Sequence, residues 1–124
     1  MDQKARRAAV AKAFRARKVG LRRGHWRVAG EEVVWWIDLR SDSPRPTAEL
    51  VFEVGAWVEG AGPEPEGGAI DCPLLLDVPL GEAPGQEAEA LLDRLEGLGT
   101  LAELKGADLT GAFLDASIRA LLGR

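Results

Sequence analysis

The sequence predicts a single α+β domain over residues 1–124, built from an N-terminal helix, a four-stranded antiparallel β-meander and two to three C-terminal helices packed on one face. Three observations support this fold class. Residues 2–18 lack glycine and proline, the middle of the chain alternates apolar and polar residues, and the last third returns to a helical period. Because the strands follow one another without a crossover helix, neighbouring strands are expected to be antiparallel.

The first helix is predicted from its alanine and arginine content, since both residues favour helices. At about 100° per residue the helix has two distinct faces. Its apolar arc consists of Ala9, Val10, Ala13 and Phe14. Its basic arc consists of Lys4, Arg7, Lys12, Arg15 and Lys18. The helix is expected to end near Gly20.

Four segments have the alternation that is typical of half-buried strands. They are residues 25–28, 33–39, 50–58 and 70–78. In the second segment Trp35 and Trp36 are adjacent, so their side chains must lie on opposite faces of the sheet. Pro73 places the fourth segment at a sheet edge or a bulge.

The C-terminal third contains a helix that begins after Pro84 and ends at Gly97. Thr100 and Glu103 have the spacing of a capping box, which opens a short helical turn to Lys105. Asp108 is expected to cap a last helix. The predicted buried face of that helix consists of Phe113, Leu114, Ile118, Leu121 and Leu122.

Charge is distributed unevenly along the chain. Residues 1–28 hold ten of the sixteen Lys and Arg side chains and one acid, whereas residues 29–124 hold nineteen of the twenty acids. The net charge is −4 and the pI is near 5.1. A basic helix joined to an acidic body is expected to be solvated or neutralised within the domain.

The composition indicates a cytoplasmic bacterial protein. Asn and Tyr are absent while Ala, Gly, Leu and Arg are abundant, which is the bias of a GC-rich genome. Apolar runs such as residues 33–37 are too short to span a membrane, and no apolar signal segment follows Met1. With one cysteine and one histidine, neither a disulfide nor a zinc site is expected, and no metal or cofactor is predicted.

The order of the first elements matches a known pattern. A basic helix leads into residues 19–27, Val-Gly-Leu-Arg-Arg-Gly-His-Trp-Arg, and strands follow at residues 33–41 and 52–58. Over residues 9–104 the chain resembles a bacterial family known as domain of unknown function 4304. That resemblance implies the fold above and no established activity. Its members often carry a Cys followed three residues later by a basic side chain, whereas here Cys72 is followed by Leu75.

Few residues are candidates for catalysis. Cys72 lies in an apolar row, where a small buried hydrophobe is the usual explanation, and His25 at a strand start is expected on the surface. Four carboxylates lie on or beside predicted strands: Asp38, Glu53, Asp71 and Asp77. Two carboxylates forced together can share a proton and act as acid and base, which makes a hydrolase the third-ranked hypothesis. We expect no catalytic residue, because solvated strand faces carry such charges more often.

Two surfaces are candidates for binding. The first is the basic arc of the N-terminal helix, Lys4, Arg7, Lys12, Arg15 and Lys18, which could follow a nucleic-acid backbone. The acidity of the whole chain disfavours that function. The second is aromatic, because four tryptophans fall within the predicted meander.

Partner-binding residues are predicted on the face that the helices leave open. The candidates are Trp26, Trp36, Trp57 and Arg40. Trp and Arg are favoured anchors at interfaces. Alternatively, the terminal helices or a second copy of the chain cover this face. We therefore predict a non-catalytic domain that binds another protein through its sheet face or its acidic loops, with a homodimer as a further arrangement and nucleic-acid binding as the alternative function.

Overall fold

The structure, a computed structural model, describes every residue from Met1 to Arg124. A layer of helices packs on one face of an antiparallel sheet, and a long loop crosses the other face. In chain order the elements are α1 (Gln3–Ala16), β1 (Gly20–Arg22), β2 (His25–Ala29), β3 (Val33–Ser41), β4 (Leu50–Val58), a 3-10 turn (Ala69–Asp71), β5 (Leu74–Pro79), α2 (Pro84–Glu96), α3 (Leu101–Lys105), β6 (Phe113–Leu114) and α4 (Ala116–Leu122).

The six strands pair in sequence order from β1 to β6, and every pair is antiparallel. The α+β class and the antiparallel meander are therefore confirmed, but the predicted number of four strands is wrong. The two missed strands lie at the edges and are only three and two residues long. Such short strands are too brief for an alternation signal.

A tight turn creates the first of these missed strands. Arg22 pairs with His25, so β1 and β2 are joined by the two residues Arg23 and Gly24. Both have positive φ, 54° and 84°, which is the backbone of a type I′ hairpin turn. Glycine adopts this conformation freely, whereas Arg23 does so at some cost.

One large hydrophobic core fills the space between the sheet and the helices. Trp35 and Phe52 from the sheet meet Phe14 of α1 and Leu92 of α2 in this core, and all four are almost fully buried. Trp35 also donates a hydrogen bond from Nε1 to the carbonyl of Leu98, at 2.9 Å. We call the face that carries Trp35 the inner face, and the opposite one the outer face. None of the helices has the length and apolar character needed to cross a membrane.

The fourth predicted strand begins later than expected. Ile70 lies in the 3-10 turn, is 65% exposed, and belongs to no strand. Because the N–H of Cys72 closes that turn on the carbonyl of Ala69, Cys72 packs on the outer face while Leu74 packs on the inner face. The predicted alternation of apolar residues from Ile70 to Val78 is therefore interrupted just before Pro73.

The C-terminal helices follow the prediction except at the last cap. The capping box of Thr100 and Glu103 is present at the start of α3. Asp115, rather than Asp108, caps α4 by accepting a hydrogen bond from the N–H of Ile118. Asp108 instead binds Thr110 within a turn. Phe113 is 61% exposed on β6 and does not join the buried face of α4.

Candidate functional site

Residues 59–73, here called the cover loop, fold back over the outer face of the sheet. Ala69 and Cys72 of this loop form a small second cluster with Val34 and Trp36. The loop comes so close to β4 that a Cβ added at Gly55 would lie 2.6 Å from both the Ala69 carbonyl oxygen and the Cys72 sulfur. Part of the expected open face is therefore covered by a loop of the chain itself and not by the terminal helices.

The predicted group of aromatic anchors is divided between the two faces. Trp26 pairs with Ile37 across the strands and meets Phe14 edge to face, at 4.8 Å between ring centroids. It therefore belongs to the inner face. Trp36 lies on the outer face as expected, but it is 1% exposed beneath the cover loop. Trp26 faces the main core and Trp36 lies beneath the cover loop, so neither is an anchor on an open surface.

Arg40 lies at the far end of the outer face from Trp57. Arg40 pairs with Val51, whereas Trp57 pairs with Val34. Six residues of β4 separate these positions, or about 20 Å along the strand. Arg40 is also engaged by three carboxylates, with Asp42 at 2.9 Å, Asp77 at 3.2 Å and Glu53 at 3.5 Å. Arg40 and Trp57 therefore do not form one patch.

Trp57 alone keeps the character expected of an anchor. Its indole is half-buried, and Nε1 donates to the carbonyl of Gly62 at 3.0 Å, which fixes the ring. It lies in a concavity of about 420 Å³ where β3, β4 and α3 meet. We call this the Trp57 concavity; its apolar residues are Val34, Trp57, Val58 and Leu101, and its acidic residues are Glu31, Glu32 and Glu59.

The acidic side of the Trp57 concavity comes from sequence-distant segments. The N–H groups of Glu32 and Val33 both donate to the carbonyl of Gly99, at 2.8 and 3.1 Å, which brings the start of α3 beside β3. Glu32 in turn accepts a hydrogen bond from the N–H of Leu101. Glu31 and Glu59 form no ion pair. Nothing local in the sequence marked these residues, because the approach of Gly99 is a tertiary contact.

The carboxylates considered for acid–base chemistry form a row across the outer face. Asp38 of β3, Glu53 of β4 and Asp77 of β5 lie directly opposite one another. Arg40 binds Glu53 and Asp77, and His25 binds Asp38 at 2.6 Å. Asp71 lies apart in the 3-10 turn. Because each carboxylate of the row is engaged by one of these contacts, the geometry offers no unpaired couple of carboxylates to share a proton.

The single thiol is shielded. Cys72 is 5% exposed and donates a weak hydrogen bond to the carbonyl of Gly68, at 3.6 Å. Burial, with smaller contributions from the charges of Asp71 and Asp38, raises the pKa of Cys72 to about 12. A thiol in this state has almost no thiolate at neutral pH and is a poor nucleophile.

The basic arc of α1 is only partly engaged. Arg7 binds the side chain of Gln3 and contacts the end of β3, whereas Lys4, Lys12, Arg15 and Lys18 are exposed and form no ion pair. The ion pairs of the basic N-terminal region are formed by residues outside this arc. One of them is Arg17, which binds Asp93 and Glu96 at 2.9 Å each. The prediction that Lys18 belongs to the helical arc is wrong, because α1 ends at Ala16 and Lys18 follows it with a positive φ of 60°.

No protein-family model, curated protein or solved structure matches this chain. The resemblance to domain of unknown function 4304 therefore stays a prediction.

Proposed function

We propose that this chain is a non-catalytic interaction domain that binds a cationic segment of a partner protein in the Trp57 concavity. The observation that carries this proposal is the combination of a fixed, half-buried Trp57 with the unpaired carboxylates of Glu31 and Glu59 around it. The proposal unites the two surfaces that the sequence suggested, the tryptophan-bearing sheet face and the acidic loops.

The chemistry of the Trp57 concavity favours a Lys or Arg side chain next to an apolar one. A cation over a tryptophan ring gains about 0.5–1 kcal/mol at an exposed site and more when water is excluded. Glu31 and Glu59 would pair with that cation, while Val34 and Leu101 would contact the apolar neighbour. A desolvated Trp at the centre with a polar rim is the usual anatomy of an energetically important contact.

We also propose that this binding function operates in the cytoplasm of a bacterium. The composition supports a bacterial origin, and the absence of paired cysteines suits the reducing cytoplasm. Membership of domain of unknown function 4304 would agree with both. An adaptor or toxin-neutralising role would suit a small acidic domain of this kind, by analogy alone.

A peptide titration tests the proposal directly. Fluorescein-labelled peptides that contain Lys or Arg beside Leu or Phe are compared with peptides in which Glu replaces each cation, using fluorescence anisotropy. We expect the cationic peptides alone to bind, with an affinity that falls as salt is added. Equal binding of the acidic peptides, or no binding of either set at low salt, would contradict the proposal.

Matched variants locate the site. Trp57→Ser should abolish binding, whereas Phe113→Ser removes another aromatic residue on the outer face, 61% exposed, and should leave binding unchanged. Glu31→Gln/Glu59→Gln should weaken binding about thirtyfold, because each of the two lost charge contacts costs of order 1 kcal/mol. Glu82→Gln/Glu89→Gln makes the same change in net charge at exposed positions outside the concavity and serves as its control.

Nucleic-acid binding by α1 is the second candidate, favoured by one observation. Lys4, Lys12, Arg15 and Lys18 are exposed without ion pairs, so their charges are available to phosphates. The acidity of the remaining surface opposes it. Anisotropy with a labelled DNA duplex and an RNA hairpin checks this candidate. A steep salt dependence that is reduced in Lys12→Gln/Arg15→Gln supports it, and no signal at low salt ends it.

A further inference from the structure

We propose that a second site on the outer face binds a small ligand through an oxyanion, either a carboxylate or a phosphate. It lies in a cavity of about 320 Å³ under the cover loop, here called the arginine cavity. The cavity is lined by Arg22, Arg23, Trp36, Glu64, Pro65 and Glu66. This site shares no lining residue with the Trp57 concavity, so the two proposals stand or fall separately.

The indole of Trp36 supplies the first argument. Its Nε1–H is buried and has no hydrogen-bond acceptor, although Trp35 and Trp57 both donate to backbone carbonyls. A buried donor is nearly always paired in a folded protein, so the unpaired N–H of a residue that lines this cavity points to an acceptor supplied by a ligand. Two neighbours hold the ring in place: Arg27 lies 5.6 Å from its centroid, and His25 meets it edge to face.

The β1–β2 hairpin supplies the second argument, because it brings cations to the same cavity. Arg22 is the last residue of β1, Arg23 occupies the turn, and Arg27 lies on β2 beside Trp36. Arg23 has a φ of 54°, at a turn position that favours Gly, Asn or Asp. A residue type that conflicts with the preference of its backbone conformation often marks a functional position. The guanidinium group is also the side chain that best matches the geometry of carboxylate and phosphate.

Glu64 and Glu66 mark where the oxyanion would bind. The Glu64 carboxylate lies 2.7 Å from Nη2 of Arg27 and 3.7 Å from Nη1 of Arg22, and Glu66 lies 3.1 Å from Nη1 of Arg23. A ligand that presents the same oxygen atoms would replace these carboxylates on the arginines. Displacement of the cover loop, which packs on Trp36, would give an oxygen atom of the ligand access to the buried Nε1–H of that residue.

The cover loop is built so that this exchange is feasible. The loop is anchored at Gly62, which accepts from Trp57, and at Ala69, which donates to Asp38. Between these anchors, residues 63–67 form no backbone hydrogen bond, and two of them are prolines without an N–H. The Arg23–Glu66 pair is open to solvent and contributes little to stability, so a ligand displaces it readily, whereas the ligand must match the half-buried pair of Arg27 and Glu64.

The test follows the four indole N–H signals in ¹H–¹⁵N spectra of the full chain. The Trp36 signal is identified by sequential assignment and by its loss in Trp36→Phe. Inorganic phosphate and glutarate are added separately, with sodium chloride at the same ionic strength as the reference. We expect the Trp36 signal to shift saturably with one or both oxyanions and not with chloride. The probe that binds more tightly distinguishes a phosphate site from a carboxylate site.

Two double variants decide whether the shift reports this cavity. Arg22→Gln/Arg23→Gln should weaken binding by about tenfold or more, because charged hydrogen bonds are lost. Glu64→Gln/Glu66→Gln should tighten it several-fold, because the internal competitor is removed, and the distant Arg45→Gln should change nothing. A Trp36 signal that does not move, that moves equally with chloride, or that moves unchanged in the Arg22→Gln/Arg23→Gln variant would overturn the proposal.

Discussion

His25 of β2 and Asp38 of β3 are in contact, with Nδ1 of the histidine 2.6 Å from Oδ1 of the aspartate. The second oxygen of the same carboxylate accepts a hydrogen bond from the N–H of Ala69, at 3.0 Å. One half-buried carboxylate therefore ties together two strands and the cover loop. This contact explains why a loop rich in Gly and Pro has a defined position over the sheet.

Asp38→Ala should release the cover loop. We expect the free energy of unfolding to fall by about 1–3 kcal/mol, because the Ala69 N–H loses its acceptor. Hydrogen exchange at Ala69 should become faster while exchange in the β3–β4 pair stays slow. Asp42→Ala is the matched control, since Asp42 is exposed and binds only Arg40. Unchanged exchange at Ala69 in the Asp38 variant would show that the carboxylate does not hold the loop.

Gly55→Ala tests how closely the cover loop packs on β4. An added Cβ would lie 2.6 Å from both the Ala69 carbonyl oxygen and Cys72 Sγ, so the loop must shift. Overpacking of this kind costs about 1–3 kcal/mol in the free energy of unfolding, which urea denaturation measures.

Gly85→Ala is the control for that substitution. Gly85 lies in the first turn of α2, and an added Cβ would meet no atom within 4 Å. That change should be neutral or slightly stabilising, because Ala favours helices over Gly. Equal effects of the two substitutions would contradict the close packing at Gly55.

The Cys72 thiol should make stability depend on pH in the alkaline range. Burial, together with the charges of Asp71 and Asp38, raises its pKa from 9.0 to about 12, so the unfolded chain loses this proton before the folded chain does. The stabilisation is fully present below pH 9 and is lost as the pH rises from 9 toward 12. Between pH 8 and pH 10 the wild type should lose about 1 kcal/mol more than Cys72→Ala in urea denaturation. Parallel losses in the two proteins would show that the thiol is not shielded as described.

The sequence predicted the elements whose signal is local and failed where tertiary contacts decide. Alternation in residues 33–39 and 50–58 identified β3 and β4, and the spacing of Thr100 and Glu103 identified the start of α3. Asp108 and Asp115 have similar local contexts in the sequence. The pairing of Leu114 with Leu74 extends the chain up to Asp115, so α4 begins after Asp115 and not after Asp108. A two-residue strand such as β6 forms because β5 lies beside it, and the periodicity of apolar residues cannot indicate such a tertiary contact.

Only part of the candidate site was predicted, because tertiary contacts also decide which of its residues are exposed. Alternation correctly assigned Trp35 and Trp36 to opposite faces and separated Trp57 from Phe52. It could not indicate that residues 59–73 return to cover Trp36, because a Gly- and Pro-rich segment carries no periodic signal. It also could not place Glu31 beside Leu101, since that approach depends on hydrogen bonds to the carbonyl of Gly99.

Charge reversal at the Trp57 concavity is the most direct measurement of the proposed function. Glu31→Lys/Glu59→Lys is compared with the wild type against matched cationic and acidic peptides, by anisotropy at low salt. We expect an exchange of preference, with the wild type binding the cationic peptide and the variant binding the acidic one, while Trp57→Ser in either background binds neither. If the variant keeps the wild-type preference for the cationic peptide, the Trp57 concavity is not the surface that recognises charge and the proposed function is wrong.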